Sequence, residues 1–176
     1  MTKILVNETS EEIALLNRPG KKVKNPQATE IIFLIQDMEK ICIQNGVAGI
    51  AATQLGKPYR LFMTNLVKGE IPELYINPKI MNSSEKTISD VEGCLSVPGK
   101  HGMVERATQV LMRYQDRNLN VRFVNSSSIF EARCWQHECD HLDGILYVSH
   151  SDEIYDNADM EAKFNLAKQK EVDFNV

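Results

Sequence analysis

Apolar side chains at Ile31, Leu34, Ile35, Met38, Ile41 and Cys42 recur every three or four residues, which gathers them on one helical face. Asn25-Pro26 offers an N-cap and a proline suited to the first helical position, so the spacing predicts a helix over 26–44 with a buried stripe. Shorter apolar runs over 60–66, 73–80, 108–114 and 121–124, rich in β-branched and aromatic residues, read as strands. Asn77-Pro78 marks the second of these as an edge strand or one that carries a bulge. Residues 82–90 are polar and read as a loop. A second helix is expected from near Ile129. The first 24 residues give weaker signals, a helical turn over 11–16 and a chain reversal at Asn17-Arg18-Pro19-Gly20. The tail from 151 is acidic, with a helix expected over 159–170. No repeat, low-complexity tract or linker divides the chain, so residues 1–176 read as one domain.

Composition narrows the class without naming a function. Hydrophobic residues make up 43% and charged residues 25%, ordinary for a globular protein. The net charge of −4 argues against sequence-independent binding of nucleic acid, which needs a basic surplus. No apolar run is long enough to suggest a membrane span, and residues 1–12 lack the pattern of a secretory signal. Cys42, Cys94, Cys134 and Cys139 are not spaced as a disulfide framework, which fits a reducing cytoplasm. In that setting a cysteine that converges with others on one point is a metal or catalytic candidate, whereas Cys42 on the helical stripe is most simply core.

The chemistry concentrates in Gln136-His137-Glu138-Cys139-Asp140-His141. Residues four apart share a helix face, so His137 and His141 can both turn an imidazole toward one ion. Water on such an ion becomes acidic near neutral pH, and Glu138, beside the first histidine, is placed to take its proton. Catalytic sites of this type show three protein ligands and an open position, so a third ligand is required. The bland alternative is a satisfied histidine pair with surface carboxylates around it. Upstream, small residues crowd Gly46-Val47-Ala48-Gly49-Ile50-Ala51-Ala52-Thr53-Gln54, a run that lets backbone approach a ligand or another element closely. It lacks the Gly-Lys-Ser/Thr ending of a phosphate loop.

Three stretches in order, Gly49-Ile50-Ala51-Ala52-Thr53-Gln54, Glu92-Gly93-Cys94-Leu95-Ser96 and Gln136 to His141, resemble the signature motifs of the peptide deformylases. The likeness covers roughly residues 44–150. It implies Cys94 as the third ligand beside His137 and His141, and ferrous iron as the resident ion, with zinc, nickel or cobalt able to replace it. The ligand set alone would suggest zinc. The resemblance further implies hydrolysis of the formyl group from N-formylmethionyl nascent peptides, with Glu138 moving protons. Gln54 and the backbone N–H of Leu95 would hold the oxyanion, Gly49 would admit the peptide backbone, and Ile50 would help line the methionine pocket. The fold it suggests is α+β, with short, mostly antiparallel strands around a central helix that carries the histidines. Formyl-Met peptide is the expected partner, including nascent chains at the ribosome, with no nucleic-acid or membrane signature.

The chain departs from the family pattern at several points. Val47 stands where the family has the first of two glycines, Thr53 where proline is common, and Arg133 follows Ala132 as in the subgroup that includes organellar deformylases. Residues 1–25 are poorly covered. An HExxH peptidase is the rival enzyme, with Tyr147 where a third histidine would stand or Glu161 as a later ligand. A closed structural site would need a fourth ligand such as Cys139, about 200° round the helix from His137. An ion pair from Arg106 to Asp140 is expected to tie the cysteine segment to the histidine helix, with Glu92 as the competing partner.

Overall fold

The computed structural model describes residues 3–67 and 69–160. The expected helix over 159–170, except for its first two residues, and Glu161 lie outside the described residues. A short helix α1 spans Ser10–Leu16, with Thr9 accepting a hydrogen bond from the Glu12 N–H as its N-cap. Helix α2 spans Thr29–Asn45 and ends on Gly46. Its start corrects the expectation over 26–44. Asn25 instead caps a separate turn, accepting from the Gln27 N–H at 3.0 Å and, through its carbonyl, from Ala28 at 3.2 Å.

Strands β1 (Gly49–Ala51), β2 (Leu61–Thr64), β3 (Glu73–Ser83), β6 (Val110–Gln115) and β7 (Val121–Asn125) form an antiparallel sheet in the order β1-β2-β3-β6-β7. Strands β4 (Thr87–Cys94), β5 (Val97–Ala107) and β8 (Ile154–Asp156) form a second antiparallel sheet. Helix α3 spans Ile129–Asp143. The fold is α+β with antiparallel strands, as expected.

The larger sheet has a helix on each face, which explains its sequence. Ile50, Leu61, Met63 and Ile76 pack with the α2 stripe, including Met38 and Cys42. The alternate residues Ala51, Phe62, Tyr75 and Met112 pack with Ala132, Trp135 and Leu142 of α3. All four residues of β2 are buried, hence the apolar run Leu61-Phe62-Met63. Trp135 meets Tyr75 edge-on, with ring centroids 5.6 Å apart, and Tyr75 stacks on Phe62 at 4.8 Å. Truncating a buried aromatic of this kind costs about 3–5 kcal/mol, so this cluster seats α3 firmly. On another side α3 contacts β5 of the smaller sheet.

Two expectations need correction. Residues 82–90 include the end of β3 and the start of β4 rather than one loop. In β4 only Glu92 is buried, so no apolar alternation announces the strand. β3 is not an edge, since it lies between β2 and β6. The bulge alternative applies: register shifts between Ile76 and Lys79, and Asn77 adopts φ 51°. The Asn77 amide holds both backbone groups of Val23, at 2.8 and 2.9 Å.

Candidate metal centre

Helix α3 opens on Ser128, whose hydroxyl accepts from the Glu131 N–H at 3.1 Å. It closes on Gly144 at φ 76°, where any Cβ would lie 2.3 Å from the Asn17 carbonyl oxygen. Only glycine fits both the left-handed turn and this approach. Between these ends, His137 and His141 share one face, with ring centroids 4.8 Å apart and planes at 81°. Cys94 ends β4, and a β-bulge there turns the chain into β5.

The bulge delivers the thiol to the helix. Cys94 Sγ lies 3.2 Å from His141 Nε2, and the ligating atoms of Cys94, His137 and His141 all fall within 4.8 Å of one another. His137 Nδ1 is committed to Glu92 Oε2 at 2.9 Å, which leaves Nε2 for an ion. Burial opposes a thiolate at Cys94, but His141 and His137 beside it overcome this and hold its pKa well below the ordinary thiol value. One sulfur and two nitrogens, a sulfur favoured as thiolate and a fixed imidazole tautomer are what a borderline-soft divalent cation requires. The donor set fits a metal. Cys139 is elsewhere, buried among Phe62, Trp135 and Leu142, so it offers no fourth ligand.

Glu138 faces a cleft of about 220 Å³ whose lining includes Gly49, Gln54, Glu92, Cys94, Leu95, Arg133, Cys134 and His137. Its Oε2 is buried without a hydrogen-bond partner among the described residues. Burial, only partly offset by His137 and His141, pushes its pKa up to about 7. Gln54 belongs to a 3-10 turn, Ala52–Leu55, that follows β1. Its Oε1 accepts from the Ala51 N–H at 2.8 Å, which aims Nε2 at Cys94 Sγ (3.3 Å) and Ser96 Oγ (3.2 Å). Thr53 donates its hydroxyl to the His141 carbonyl at 2.9 Å, joining the turn to the end of α3.

Gly49 abuts Glu138 directly: a Cβ there would lie 2.4 Å from Glu138 Oε1. Leu95 and Val47 both line the cleft. Ile50 does not line it. In β1, neighbouring side chains point to opposite faces, so with Gly49 toward the cleft Ile50 turns into the α2 core, fully buried.

The expected Arg106–Asp140 pair is present at 2.6 Å, and the competing partner is engaged as well. Arg106 donates to Glu92 through Nε at 2.9 Å and Nη2 at 3.0 Å. Arg133 Nη1 adds a further bond to Glu92 Oε1 at 2.8 Å. Burial works against charge on Glu92, but His137 and Arg106 outweigh it and lower its pKa to about 2. Three contributors went unassigned in the sequence: Glu92 as the partner of His137, Ser96 beside the sulfur, and Tyr147 stacked on His137 at 6.1 Å. Glu92 and His137 are 45 positions apart, so no local pattern marks that pair.

A larger cleft, about 410 Å³, lies between Ser84, Lys86, Thr108 and Ser126–Ser128. Its hydroxyls are spent on protein: Ser84 Oγ accepts from the Thr108 and Gln109 N–H groups, and Ser126 Oγ from Val110. It brings no reactive cluster together.

Residues 2–157 match the family model described as polypeptide deformylase. Among curated proteins, the peptide deformylase of Finegoldia magna is 36% identical over 141 residues, covering 78% of this chain and 86% of its own. That of Mesorhizobium japonicum is 35% identical over 169 residues, covering 94% and 89%. The crystal structure of the Synechococcus elongatus peptide deformylase in complex with actinonin superposes with a TM-score of 0.77 at 30% identity, covering 86% of this chain and 79% of that one.

Proposed function

The chain belongs to the peptide deformylase family, and from that premise we propose that the cleft between Gly49, Cys94 and α3 is its active site. The protein is a metal-dependent hydrolase that removes the N-formyl group from nascent formylmethionyl peptides. The observation that carries the site assignment is one juxtaposition. Three ligating atoms lie within 4.8 Å of one another, and a buried carboxylate oxygen without a partner opens on the same cleft.

In this reading Cys94, His137 and His141 hold the ion, and α3 is the central helix of a single catalytic domain spanning residues 1–176. A cation held there would supply Lewis acidity to the formyl oxygen and to water. Glu138, with its pKa raised to about 7, accepts a proton from the attacking water and returns it to the leaving nitrogen. The formyl C–N bond breaks, oxygen from water joins the formyl carbon, and formate leaves a free amino terminus. The Gln54 amide, oriented by its bond from the Ala51 N–H, turns Nε2 to the developing oxyanion together with the Leu95 N–H. Removing one such donor costs about 3 kcal/mol of transition-state stabilisation. Gly49 admits the peptide backbone beside Glu138.

Ferrous iron is the resident ion in this proposal, with zinc, nickel or cobalt as substitutes that a site of one sulfur and two nitrogens also accepts. The protein works in the cytoplasm on chains emerging from the ribosome. No described helix is long and apolar enough to cross a membrane. The test is anaerobic purification, metal analysis and an assay of formate release from a formyl-Met peptide, with Glu138→Gln alongside. The variant should keep its metal and lose turnover by 10²-fold or more, on the order of a general acid–base contribution. Turnover near wild type in that variant would remove Glu138 from its role.

A further inference from the structure

We propose that Arg133 is a positioning residue for the metal-binding imidazole of His137, acting through Glu92. This rests on the reading of Cys94, His137 and His141 as ligands. Glu92 Oε2 accepts a hydrogen bond from His137 Nδ1–H at 2.9 Å, and a bond of this kind sets both tautomer and ring orientation. The ring is therefore held only as firmly as the carboxylate is.

Arg106 and Arg133 hold that carboxylate from different places. Arg106 lies on β5 and Glu92 on β4, so their fork joins two strands of one sheet and moves with it. Arg133 lies on α3, four residues before His137 and on the same helix face. Its Nη1 reaches Glu92 Oε1 at 2.8 Å and the Val104 carbonyl at 2.9 Å, while Nη2 reaches the Ile88 carbonyl at 2.8 Å. One helix face thus grips one carboxylate at both oxygens, His137 at Oε2 and Arg133 at Oε1. Arg106 already fixes both oxygens to the sheet, and Arg133 adds the contact that ties Oε1 to the helix carrying His137. Arg133 also anchors itself to β4 and β5, so the helix cannot slide along the sheet without breaking these bonds.

Charge gives Arg133 a second reason to be there. Glu92 and Asp140 share the single guanidinium of Arg106. Asp140 also meets His150 Nε2 at 3.0 Å, and without Arg133 the buried Glu92 carboxylate would have only the shared Arg106 and the His137 N–H. A buried charge with too little compensation draws in water or shifts. With Arg133, itself only 6% exposed, two carboxylates face two guanidiniums.

The experiment uses cobalt-loaded enzyme and follows cobalt loss to excess EDTA, the visible cobalt spectrum, and kcat and KM for a formyl-Met peptide. Arg133→Met keeps the side-chain length without the charge. It should release cobalt about tenfold faster or more, the scale on which outer partners of ligating histidines act, and lower kcat more than it raises KM. Arg133→Lys should fall between wild type and Arg133→Met. In a Glu92→Gln background, Arg133→Met should add little, because the two act in series. A merely structural arginine would lower thermal stability and leave cobalt release and spectrum at wild-type values, which overturns the proposal, as would additive effects with Glu92→Gln. If Arg133→Met does not fold, cobalt release from Arg133→Lys decides: faster than wild type supports the proposal, and equal to wild type overturns it. A wild-type cobalt spectrum without a sulfur-to-metal band would remove the ligand set and this inference together. A normal band with unchanged release in the variants would remove this inference alone.

Discussion

Adding one methyl group at Gly49 tests how closely the catalytic carboxylate is fitted to the strand beside it. A Cβ at this position would lie 2.4 Å from Glu138 Oε1, 2.9 Å from Cδ and 3.0 Å from Cγ. Gly49 has no left-handed φ, so an alanine backbone is unstrained and the cost is steric. To regain ordinary contact, Oε1 must retreat by about 1 Å, a misplacement that at a reacting group costs on the order of 10²-fold in rate. In free energy that is about 2.7 kcal/mol of transition-state stabilisation.

Stability should change much less. Overpacking of this size costs about 1–3 kcal/mol, and Gly→Ala recovers about 0.4–1 kcal/mol by restricting the unfolded chain. A net loss of about 1–2 kcal/mol lowers Tm by only a few degrees in a chain of this length. The assay is kcat and KM for formate release from Gly49→Ala at matched metal content, with Tm measured in parallel. We expect kcat to fall about 100-fold, with full metal occupancy and a folded protein. A folded, fully loaded variant with wild-type kcat would falsify the fit between Gly49 and Glu138. A rise in KM alone would assign the glycine to peptide approach instead.

Three other perturbations probe the surrounding groups. Cys94→Ser should weaken metal binding by about 100-fold or more, since loss of an outer hydrogen bond alone costs 10–100-fold, and its cobalt form should lack the sulfur-to-metal band; a retained band would exclude Cys94 as ligand. Arg106→Ala should destabilise by less than the ~3–5 kcal/mol of a fully stranded buried charge, because Glu92 keeps Arg133 and His137, and the Arg106→Ala/Asp140→Ala cycle, read by denaturation and metal affinity, should show coupling of about 0.5–3 kcal/mol; strictly additive losses would uncouple them. Tyr147→Phe should be as stable as wild type or up to about 1–3 kcal/mol more stable, because the phenol is buried without a hydrogen-bond partner among the described residues; a clear loss in chemical denaturation would contradict that.

What could be read in the sequence follows from how local its physical cause is. The α2 stripe and the apolar run Leu61-Phe62-Met63 of β2 were legible because each records which faces of one element are covered. The His137–His141 pair was legible for the same reason, being a fact about one helix. The β4–β5 hairpin was not. β4 buries only Glu92, and in β5 the buried alternation Gly102, Val104 and Arg106 is carried by a glycine and an arginine as well as a valine, so it leaves no apolar pattern. Ile50 shows a subtler limit. Its neighbour Gly49 reaches the cleft, and strand geometry then forces Ile50 the other way, so nearness in sequence marked the wrong side chain. Asn25-Pro26 likewise reads as a helix start and caps a turn instead.

Least legible of all was the division of labour between two glutamates. Glu92 and Glu138 are both almost fully buried within reach of His137, and burial alone would make each a weak acid. Partners separate them. Glu92 faces two guanidiniums and an imidazole N–H, its pKa falls to about 2, and it serves as a fixed anion that orients. Glu138 has one oxygen without a partner and its flank against a glycine, and its pKa rises to about 7. Two carboxyls driven apart by their surroundings can divide support from proton transfer at one pH. The groups that hold Glu92 ionised are His137 of the motif itself and Arg106, which comes from β5, 14 positions from Glu92. The motif therefore supplies the reacting group, and the partners each carboxylate finds, His137 and Arg106 for Glu92 and burial without a full set of partners for Glu138, decide which of the two is free to react.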